Sequence, residues 1–424
     1  MRRGRIVLFV FIFFLITINY GDRVALSVGA KSIADEFHLS PVQMGYLLSS
    51  FLWTYVIFLI PWGSAADRIG PRIVTMIGMA LWSIATIITG FATSLAALFG
   101  ARMLMGASES SAFPSTGRLI RGWVPGSQFG LANMIAISGG YAGPAIGAVL
   151  FGWLASRFGW RGGFIVVGCT GFVWILAAFF WFHRPVDAPT QAAPVQASPK
   201  EEVGTMEGFG HLLASPSLWG LFLTQGANVY SHYLYLTWLP NYLQTTRHLS
   251  IMKTGLFSSL PFAISVFGSI ALAMLSDSML RRAGGYQTGR RRWMVAVMMV
   301  VSAVIVFLPF VDSIATIIAI FTIALTGTSA ATGLNSALLT DLLVSPSDAG
   351  KAHAVLVVGG NIFGMLAPIV TGYVLADTGS FDATWYFCGA LLIAGAVIVL
   401  SFTRGPIGAL RPGEQAPRKI QASL

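Results

Sequence analysis

Four ionisable residues lie in or near the middle of long apolar stretches of this chain: Asp22, Arg23, Arg102 and Glu109. On insertion scales, one such group at a bilayer centre costs about 2.5–3.5 kcal/mol, so four cost on the order of 10–14 kcal/mol before any pairing. The two acids can carry protons, and the two arginines can hold an anion. The set therefore predicts a proton-coupled carrier of organic anions.

The chain around these charges has the composition of a polytopic membrane protein. Of its 424 residues, 55% are hydrophobic and only 10% are charged, whereas soluble domains are about 25% charged. Twelve apolar stretches are each long enough to cross a hydrocarbon core that needs about 20 residues. The predicted spans are residues 6–29, 42–66, 72–93, 95–118, 126–155, 162–183, 215–243, 251–276, 292–310, 313–341, 349–376 and 383–403.

The net charge of +10 reports membrane topology. If the N-terminus is cytoplasmic, nineteen of the 26 Lys and Arg residues fall on the cytoplasmic side, which is the positive-inside asymmetry. This distribution predicts a lipid bilayer as the surroundings, with both termini cytoplasmic, and no nucleic-acid partner. The compact loops are typical of a bacterial protein, which predicts the inner (plasma) membrane.

The hydrophobic pattern breaks once, between Phe182 and Leu212, in a segment with four spaced prolines. Such a composition indicates a flexible or polyproline-like linker. It predicts an N-terminal six-helix half (1–183), a cytoplasmic linker (184–214), a C-terminal six-helix half (215–403) and a cytoplasmic tail (404–424).

A short charged motif recurs in the two predicted halves. Asp67 follows the second span, with Arg68 and Arg72 just beyond it, and Asp277 follows the eighth span, with Arg281 just beyond it. A single Asp-Arg pair would indicate only a solvated loop. Two such pairs at corresponding places indicate an internal repeat.

With this repeat, the chain resembles the major facilitator superfamily over its whole length. Residues 63–72 are similar to that family's signature between helices 2 and 3, and residues 275–282 to its weaker echo. The resemblance implies an all-α membrane protein with twelve transmembrane helices in two pseudo-symmetric six-helix halves, and a substrate site between the halves near the bilayer midplane. The implied gating residues are Asp67, Arg68, Arg72, Asp277 and Arg281.

Three further segments resemble the anion:cation symporter family within that superfamily. They are Asn19–Arg23 in span 1, Arg102–Pro114 in span 4 and Leu236–Leu243 in span 7. That family includes bacterial carriers of galactonate, glucarate and hexuronates, and vesicular glutamate and sialic acid carriers of animals. The resemblance implies uptake of a sugar acid (an aldonate, hexuronate or aldarate) together with protons.

Arg102 and Glu109 are seven residues apart, so they lie two turns from each other on nearly the same helix face. They are too far apart for a direct i,i+4 pair. Water or substrate could lie between them, or each could pair across helices. We predict that Glu109 titrates and that Arg102 contributes to substrate binding, and by resemblance the acid that matches Glu109 is a proton site. The alternative is a structural ion pair.

Asp22 and Arg23 are adjacent, so their side chains point about 100° apart on a helix. One can face a cavity while the other faces a neighbouring helix. Because arginine binds both oxygens of a carboxylate and stays charged, we predict that Arg23 binds the substrate carboxylate and that Asp22 is a second proton site. A structural cluster with another helix is the alternative.

Aromatic and amide residues complete the predicted substrate site. Tyr20, Trp53 and Tyr55 would supply hydroxyls and an aromatic wall, and the segment around Trp53 resembles the family's cavity-facing segment. For Tyr55, plain packing is the alternative. The predicted contributors from the C-terminal half are Asn228, Tyr233 and, by resemblance, Asn361.

Two other polar residues leave a choice of interpretation. His232 could be a proton relay or a hydrogen-bonded packing residue. We interpret Asp341 as a charge that ends span 10 at the cytoplasmic face.

The glycines of span 5 have two interpretations. Gly139 and Gly143 are four residues apart, which allows close helix packing, and the same pattern resembles a signature of antiporters. The chain also departs from galactonate carriers, with Gly140 in place of a glutamine and with Asn335 and Ser336 where a tryptophan is common. A bulkier or less hydroxylated acid, such as an aromatic one, is therefore an alternative substrate.

Motifs of enzymes, nucleotide sites and metal sites are absent from the sequence. We therefore expect no enzymatic activity, no cofactor and no metal. The sequence predicts a symporter that imports a small organic anion by alternating access and works as a monomer. A proton-driven antiporter or exporter is the first rival, and a membrane sensor with a transporter fold is the second.

Overall fold

The computed structural model describes residues 2–125, 128–182, 210–282, 288–345 and 348–408. These residues form thirteen α-helices and one 3₁₀-helix. The elements are α1 (Arg2–Phe37), α2 (Pro41–Arg68), α3 (Pro71–Phe91), α4 (Leu95–Glu109), α5 (Ala112–Trp123), α6 (Phe129–Phe182), α7 (Gly210–Leu213), α8 (Pro216–Thr245), α9 (Ile251–Arg282), α10 (Thr288–Ser302), the 3₁₀-helix (Ala303–Phe310), α11 (Ile314–Leu342), α12 (Ala349–Thr378) and α13 (Asp382–Phe402).

Each of the twelve predicted spans falls on helical segments. Nine helices of the described chain are long and apolar enough to cross a membrane. The number is below twelve partly because the fifth and sixth spans run together in α6, which leaves helical geometry only at Gly159 (φ 70°, ψ 168°). Span 4 is divided into two shorter helices, and the more polar α8 is not among the nine.

The prediction of one continuous helix over 95–118 is wrong. Helix α4 ends at Glu109 and α5 begins at Ala112. Pro114 has no N–H to donate to the Ser110 carbonyl, which weakens the helix at this point. The chain makes a tighter turn instead, in which the Ser111 N–H donates to the Ser108 carbonyl at 3.1 Å. The break places Glu109 at the last residue of α4.

Local sequence determines the starts of α2 and α3. Ser40 and Gln43 form a capping box at the start of α2, where each side chain accepts a hydrogen bond from the other residue's backbone N–H. Gly70 adopts φ 90°, which favours glycine, and Pro71 then begins α3. Asp67 and Arg68 therefore lie at the very end of α2, next to a sharp turn.

The chain divides into two compact units, which differ from a simple cut at the linker. Unit 1 contains Met1–Pro199, Leu236–Ala263 and Pro368–Ala376. In this unit the backbones of α1 and α6 approach closely. A Cβ added to Gly147 would lie only 2.6 Å from the Gly21 Cα, and one added to Gly143 only 2.7 Å from the Thr17 carbonyl oxygen. Small residues allow such backbone contact between membrane helices.

The same unit includes parts of α8, α9 and α12 that pack on α1, α2 and α6. Gln244 Nε2 donates to the Val28 carbonyl at 2.9 Å. A Cβ on Gly152 would lie 3.1 Å from the Gly255 Cα. The Tyr46 and Tyr373 hydroxyls lie 3.3 Å apart. These contacts join residues that are more than a hundred positions apart in the sequence.

Unit 2 contains Lys200–Tyr235, Ile264–Ala367 and Asp377–Leu424. Helices α8 and α12 pack closely where α8 has a glycine. A Cβ added to Gly226 would lie only 2.6 Å from the Phe363 ring. The Phe381 and Trp385 rings are stacked with their centroids 5.8 Å apart. The segment after α13 pairs with the end of α11 through an isolated parallel β-bridge between Leu343 and Ile407. In this bridge the Val344 N–H donates to the Ile407 carbonyl at 3.1 Å.

Two glycines of α4 provide a test of close packing in unit 1. A Cβ on Gly106 would overlap the Phe51 carbonyl of α2, whereas one on Gly100 would meet nothing within 4 Å. We expect Gly106→Ala to destabilise the protein by about 1–3 kcal/mol, since overpacking forces the backbone to shift. Gly100→Ala, the matched control, should leave stability unchanged or slightly raised.

Thermal unfolding of the two purified variants in detergent measures the difference. A lower melting temperature for Gly106→Ala alone is the expected result. Equal melting temperatures would show that α2 and α4 do not pack as described.

Candidate functional site

Three helices of unit 1 carry the four intramembrane charges and the aromatic residues near them. Helix α1 contributes Asp22 and Arg23, and α4 contributes Arg102 and Glu109. Helix α2 contributes Phe51, whose backbone carbonyl lies against Gly106 of α4. All four charged side chains are at most 5% exposed, so the tertiary structure brings two acids and two bases into one buried cluster.

Arg23 is the centre of this cluster. Its Nε donates to Glu109 Oε2 at 2.8 Å, which makes an ion pair between α1 and α4. Its Nη2 donates to Asn19 Oδ1 at 2.9 Å, one turn earlier on α1. The guanidinium fork thus makes directional bonds to two side chains, which a lysine ammonium could not match in geometry.

Three aromatic rings surround the same guanidinium. Its Cζ lies 4.4 Å from the ring centroid of Tyr20, 4.5 Å from that of Phe51 and 5.0 Å from that of Tyr55. Cation–π contact within about 6 Å is attractive, and more so where water is excluded. The rings therefore hold the arginine charge in a largely dry environment. Tyr20 and Tyr55 both lie beside Arg23, and their role in substrate binding stays a prediction.

Arg102 and Asp22 are less completely bonded. Arg102 Nη1 lies 3.0 Å from Met105 Sδ, a weak acceptor. Its Nε and Glu109 Oε1 have no hydrogen-bond partner within the described residues. Charge interactions link Asp22 with Glu109, Arg102 and Arg23. Because unmade bonds of buried ionic groups are costly, the cluster has capacity for a proton or for a polar ligand.

The structure decides between the arrangements that the spacing of Arg102 and Glu109 left open. Glu109 pairs across helices, with Arg23, rather than with Arg102 on its own helix. The sequence contained no direct signal for this pairing, since the partners are 86 positions apart. A proton on Glu109 would therefore act first on Arg23.

Trp53 lies outside the contacts of the cluster. Its Nε1 donates to Ser49 Oγ at 3.0 Å, one turn back on α2. Its ring centroid lies 6.2 Å from the ring centroid of Tyr46 and 6.5 Å from that of Phe99. A role for Trp53 in substrate binding stays a prediction.

The residues predicted from the C-terminal half lie in unit 2. Asn361 Nδ2 donates to the Val357 carbonyl of its own helix at 2.9 Å, and Asn228 Nδ2 to the Thr224 carbonyl at 3.0 Å. The Tyr233 ring packs against Gly364 of α12. The ring centroids of Tyr233 and His232 lie 6.1 Å apart. Their substrate and relay roles stay predictions.

Arg118 is the residue at the end of span 4 that our sequence analysis did not single out. Its Nη2 donates to Asp67 Oδ2 at 2.6 Å, and its Nε bonds the other carboxylate oxygen, so the pair is bidentate. Arg68, which was grouped with Asp67 as a gating residue, is exposed. Arg72 lines a small apolar cavity instead. The bidentate fit is typical of arginine and carboxylate.

The second copy of the motif is only partly described. Asp277 and Arg281 lie on α9, but their side chains are outside the described residues. Asp341 lies at the end of span 10 as expected, one residue before α11 ends, and its Oδ2 also accepts a hydrogen bond from Arg291 Nη1 at 2.6 Å, with both side chains buried. A buried carboxylate needs such a partner, which the sequence position did not reveal.

We expect Arg118→Ala to lower the transport rate several-fold while the stability changes by less than about 1 kcal/mol, since exposed ion pairs contribute little to stability. Arg68→Ala, the matched control at the same helix end, should transport normally. Initial uptake rates and melting temperatures of both variants provide the measurement. A larger loss in Arg68→Ala would mean that Asp67 uses its neighbour in sequence rather than Arg118.

The span 5 glycines face α1. A Cβ on Gly139 would lie 2.7 Å from the Phe13 carbonyl oxygen. Gly140 has more space, since its Cβ would lie 3.6 Å from the Tyr20 ring. This geometry favours the packing interpretation of Gly139 and Gly143.

A metal centre finds no support in the part of the chain that the structure describes. There, no group of three or more His, Cys, Asp and Glu side chains is placed to hold a metal ion.

Known proteins resemble the chain in sequence and in fold. The family model described as Major Facilitator Superfamily matches residues 12–288 and 283–423. The Bacillus subtilis (strain 168) protein named "Probable galactarate/D-glucarate transporter GudP" is 32% identical, over 96% of this chain and 94% of its own. The Cupriavidus necator protein named "Probable sulfoacetate transporter SauU" is 30% identical, over 90% of each chain.

A solved structure shows the same fold at lower identity. It is a bacterial homolog of the human lysosomal transporter Spinster, in an inward-facing and unoccupied conformation. Its TM-score to this chain is 0.75 at 20% identity, and the alignment covers 95% of both chains.

Proposed function

The chain belongs to the Major Facilitator Superfamily, and from this premise we propose that it imports a sugar acid together with protons. The single observation that carries the proposal is the buried ion pair between Arg23 and Glu109. A charge pair of this kind in a membrane helix bundle marks a substrate or proton pathway. The similarity to a protein named for galactarate and D-glucarate supports an aldarate, aldonate or hexuronate as the substrate.

The proposed coupling follows from the bonds of Arg23. While Glu109 is ionised, its carboxylate occupies the Nε side of the guanidinium. A proton on Glu109 removes that negative charge, so the arginine becomes a better site for the carboxylate of the substrate. Asp22, which interacts with the same charges, is the second proposed proton site. Proton and anion would then enter together, which is symport.

Alternating access would complete the cycle. Protonation and anion binding favour the change of state, and release of the anion and the protons on the cytoplasmic side resets it. In this proposal Asp67, held by Arg118, stabilises one of the two states. The protein would work as a monomer in the inner membrane, with both termini in the cytoplasm.

Uptake into proteoliposomes with an imposed inward proton gradient tests the proposal. The panel contains galactarate, D-glucarate, galactonate, glucuronate, tartrate, sulfoacetate and aromatic carboxylates. Accumulation of one sugar acid that depends on the gradient is the expected result. Accumulation without any effect of the gradient would contradict proton coupling.

A second candidate substrate is an acid without a sugar skeleton. The relative named for sulfoacetate is nearly as similar as the one named for galactarate and D-glucarate, and Gly140 leaves space beside Tyr20. Accumulation of sulfoacetate or an aromatic acid alone would favour this candidate. Exit of preloaded compounds as protons enter would instead identify an exporter.

A further inference from the structure

The break between α4 and α5 leaves one backbone carbonyl without its usual donor. In a regular α-helix the Ser111 N–H would donate to the Ala107 carbonyl, four residues earlier. In this protein it donates to the Ser108 carbonyl instead, at 3.1 Å. The Ala107 carbonyl therefore needs another donor, and it lies only two residues before Glu109, the last residue of α4.

Two side chains replace the missing donor. Trp62 Nε1 of α2 donates to the Ala107 carbonyl at 2.7 Å, and Ser110 Oγ of the break itself donates to the same carbonyl at 2.8 Å. A carbonyl oxygen has two lone pairs, so it can accept both bonds. An unbonded carbonyl inside a membrane span is costly. The two bonds therefore stabilise the break against a regular helix, in which the same carbonyl would accept from Ser111.

The helices around the break hold it in the same position. Thr54 Oγ1 of α2 donates to the Met103 carbonyl of α4 at 2.6 Å. Ser111 packs on α3 at Gly78, where an added Cβ would overlap the Ser111 Oγ. The end of α4 is thus positioned by α2 and α3 as well as by its own backbone, and the position of Glu109 depends on these contacts.

We propose that Trp62 is a positioning residue for proton coupling, which holds the break in span 4 so that Glu109 lies against Arg23. Glu109 Oε2 accepts a hydrogen bond from Arg23 Nε at 2.8 Å. The inference rests on the proposed function, and it adds a residue whose indole bonds neither of these two side chains but the backbone between them and α2.

The effect on Glu109 follows from the competition for the Ala107 carbonyl. Without the indole N–H, this carbonyl can accept from Ser111 again, and the last turn of α4 rewinds towards a regular helix. The Glu109 carboxylate then moves relative to α1. Hydrogen bonds weaken steeply with distance and angle, so the displacement releases Arg23 in part before any proton arrives.

The first test removes the indole N–H and keeps an aromatic ring. In Trp62→Phe we expect the acid stimulation of galactarate uptake, which is the ratio of initial rates with acid and with neutral solution outside, to fall about 3-fold. The net loss of one hydrogen bond changes an equilibrium about 2- to 10-fold. Trp153→Phe, at a tryptophan of α6 whose side chain is exposed, is the matched control and should keep the wild-type ratio.

A second readout needs no substrate. Infrared difference spectra of the purified full-length protein follow the protonation of the Glu109 carboxyl, which is identified by its absence in Glu109→Gln. In Trp62→Phe the midpoint should shift by about half a pH unit or more, because the ion pair with Arg23 sets how readily this carboxyl takes up a proton. A tether that only holds α2 to α4 would lower the melting temperature and leave this midpoint unchanged.

A second pair of variants covers the case in which Trp62→Phe does not fold. Trp62→Gln and Trp62→Leu have side chains of similar size, but only glutamine can donate to the Ala107 carbonyl. Trp62→Gln should therefore lie closer to the wild type than Trp62→Leu in both readouts. Equal values for the two variants would overturn the inference.

The readouts separate the inference from the proposed function. A wild-type midpoint in Trp62→Phe overturns the inference while the proposed function stands. A shifted midpoint with unchanged acid stimulation of uptake also overturns it, since Trp62 would then not act on coupling. If Glu109 takes up no proton in the wild type, the proposed proton site fails and the inference fails with it.

Discussion

Arg23→Lys is expected to lower the uptake of the transported acid about 10- to 100-fold in a protein that still folds. The lysine keeps the positive charge that Glu109 needs in its buried position. It loses the planar fork that donates to Glu109 and Asn19 together, and it loses the stacking with Tyr20, Phe51 and Tyr55. Hydrogen bonds to charged groups contribute about 1.5–3 kcal/mol, which corresponds to this range.

Lysine is a sharper test than alanine at this position. Arg23→Ala would leave the Glu109 carboxylate buried without its partner, which costs about 3–5 kcal/mol and could unfold the protein. Arg157→Lys, at an exposed position of the same unit, is the matched control and should transport normally. Initial uptake rates at several substrate concentrations provide the readout. Unchanged uptake by Arg23→Lys would remove Arg23 from the anion site.

Glu109→Gln is expected to abolish proton-driven accumulation while exchange of internal for external substrate continues. Glutamine resembles the protonated acid in size and in its lack of charge. The variant is therefore held permanently in the state that acidification would produce, in which Arg23 is released from the Glu109 carboxylate. We expect accumulation to fall at least 10-fold and exchange to change less than about 2-fold.

The sign of the pH effect follows from the same ion pair. In the wild type, acid outside should speed uptake, because protonation of Glu109 leaves Arg23 available for the anion. In Glu109→Gln the uptake rate should no longer respond to external pH. Asp35→Asn, which changes an exposed acid paired with Lys31, should retain the response. A structural ion pair would instead show lower stability with coupling intact, and that outcome would exclude Glu109 as the essential proton site.

Patterns within one helix were well predicted from the sequence. Each of the twelve apolar stretches lies on helical structure, because hydrophobic length and hydrogen-bond demand in a membrane leave the chain little choice. The motifs that resemble the major facilitator superfamily led to the family that the comparisons confirm. The break in span 4 was missed, although Pro114 was a visible signal for it.

Pairings between helices were not visible in the sequence. Asp67 was grouped with Arg68 and Arg72 as gating residues, and the structure adds its ion pair with Arg118. Asp341 was expected at the end of span 10 and lies there, and the structure adds its pairing with Arg291. In each case the partner lies about fifty positions away, and no period within one helix points to it.

The sequence by itself determined which groups must be buried and which chemistry they can perform. Asp22, Arg23, Arg102 and Glu109 were identified because a charge inside an apolar stretch is costly wherever the helix packs. Only the tertiary structure decided that Arg23 bonds Glu109 and that Arg118 bonds Asp67. The physical reason is that burial follows from composition along one helix, whereas a hydrogen bond needs two atoms within about 3 Å. That distance depends on how the backbones of different helices approach each other.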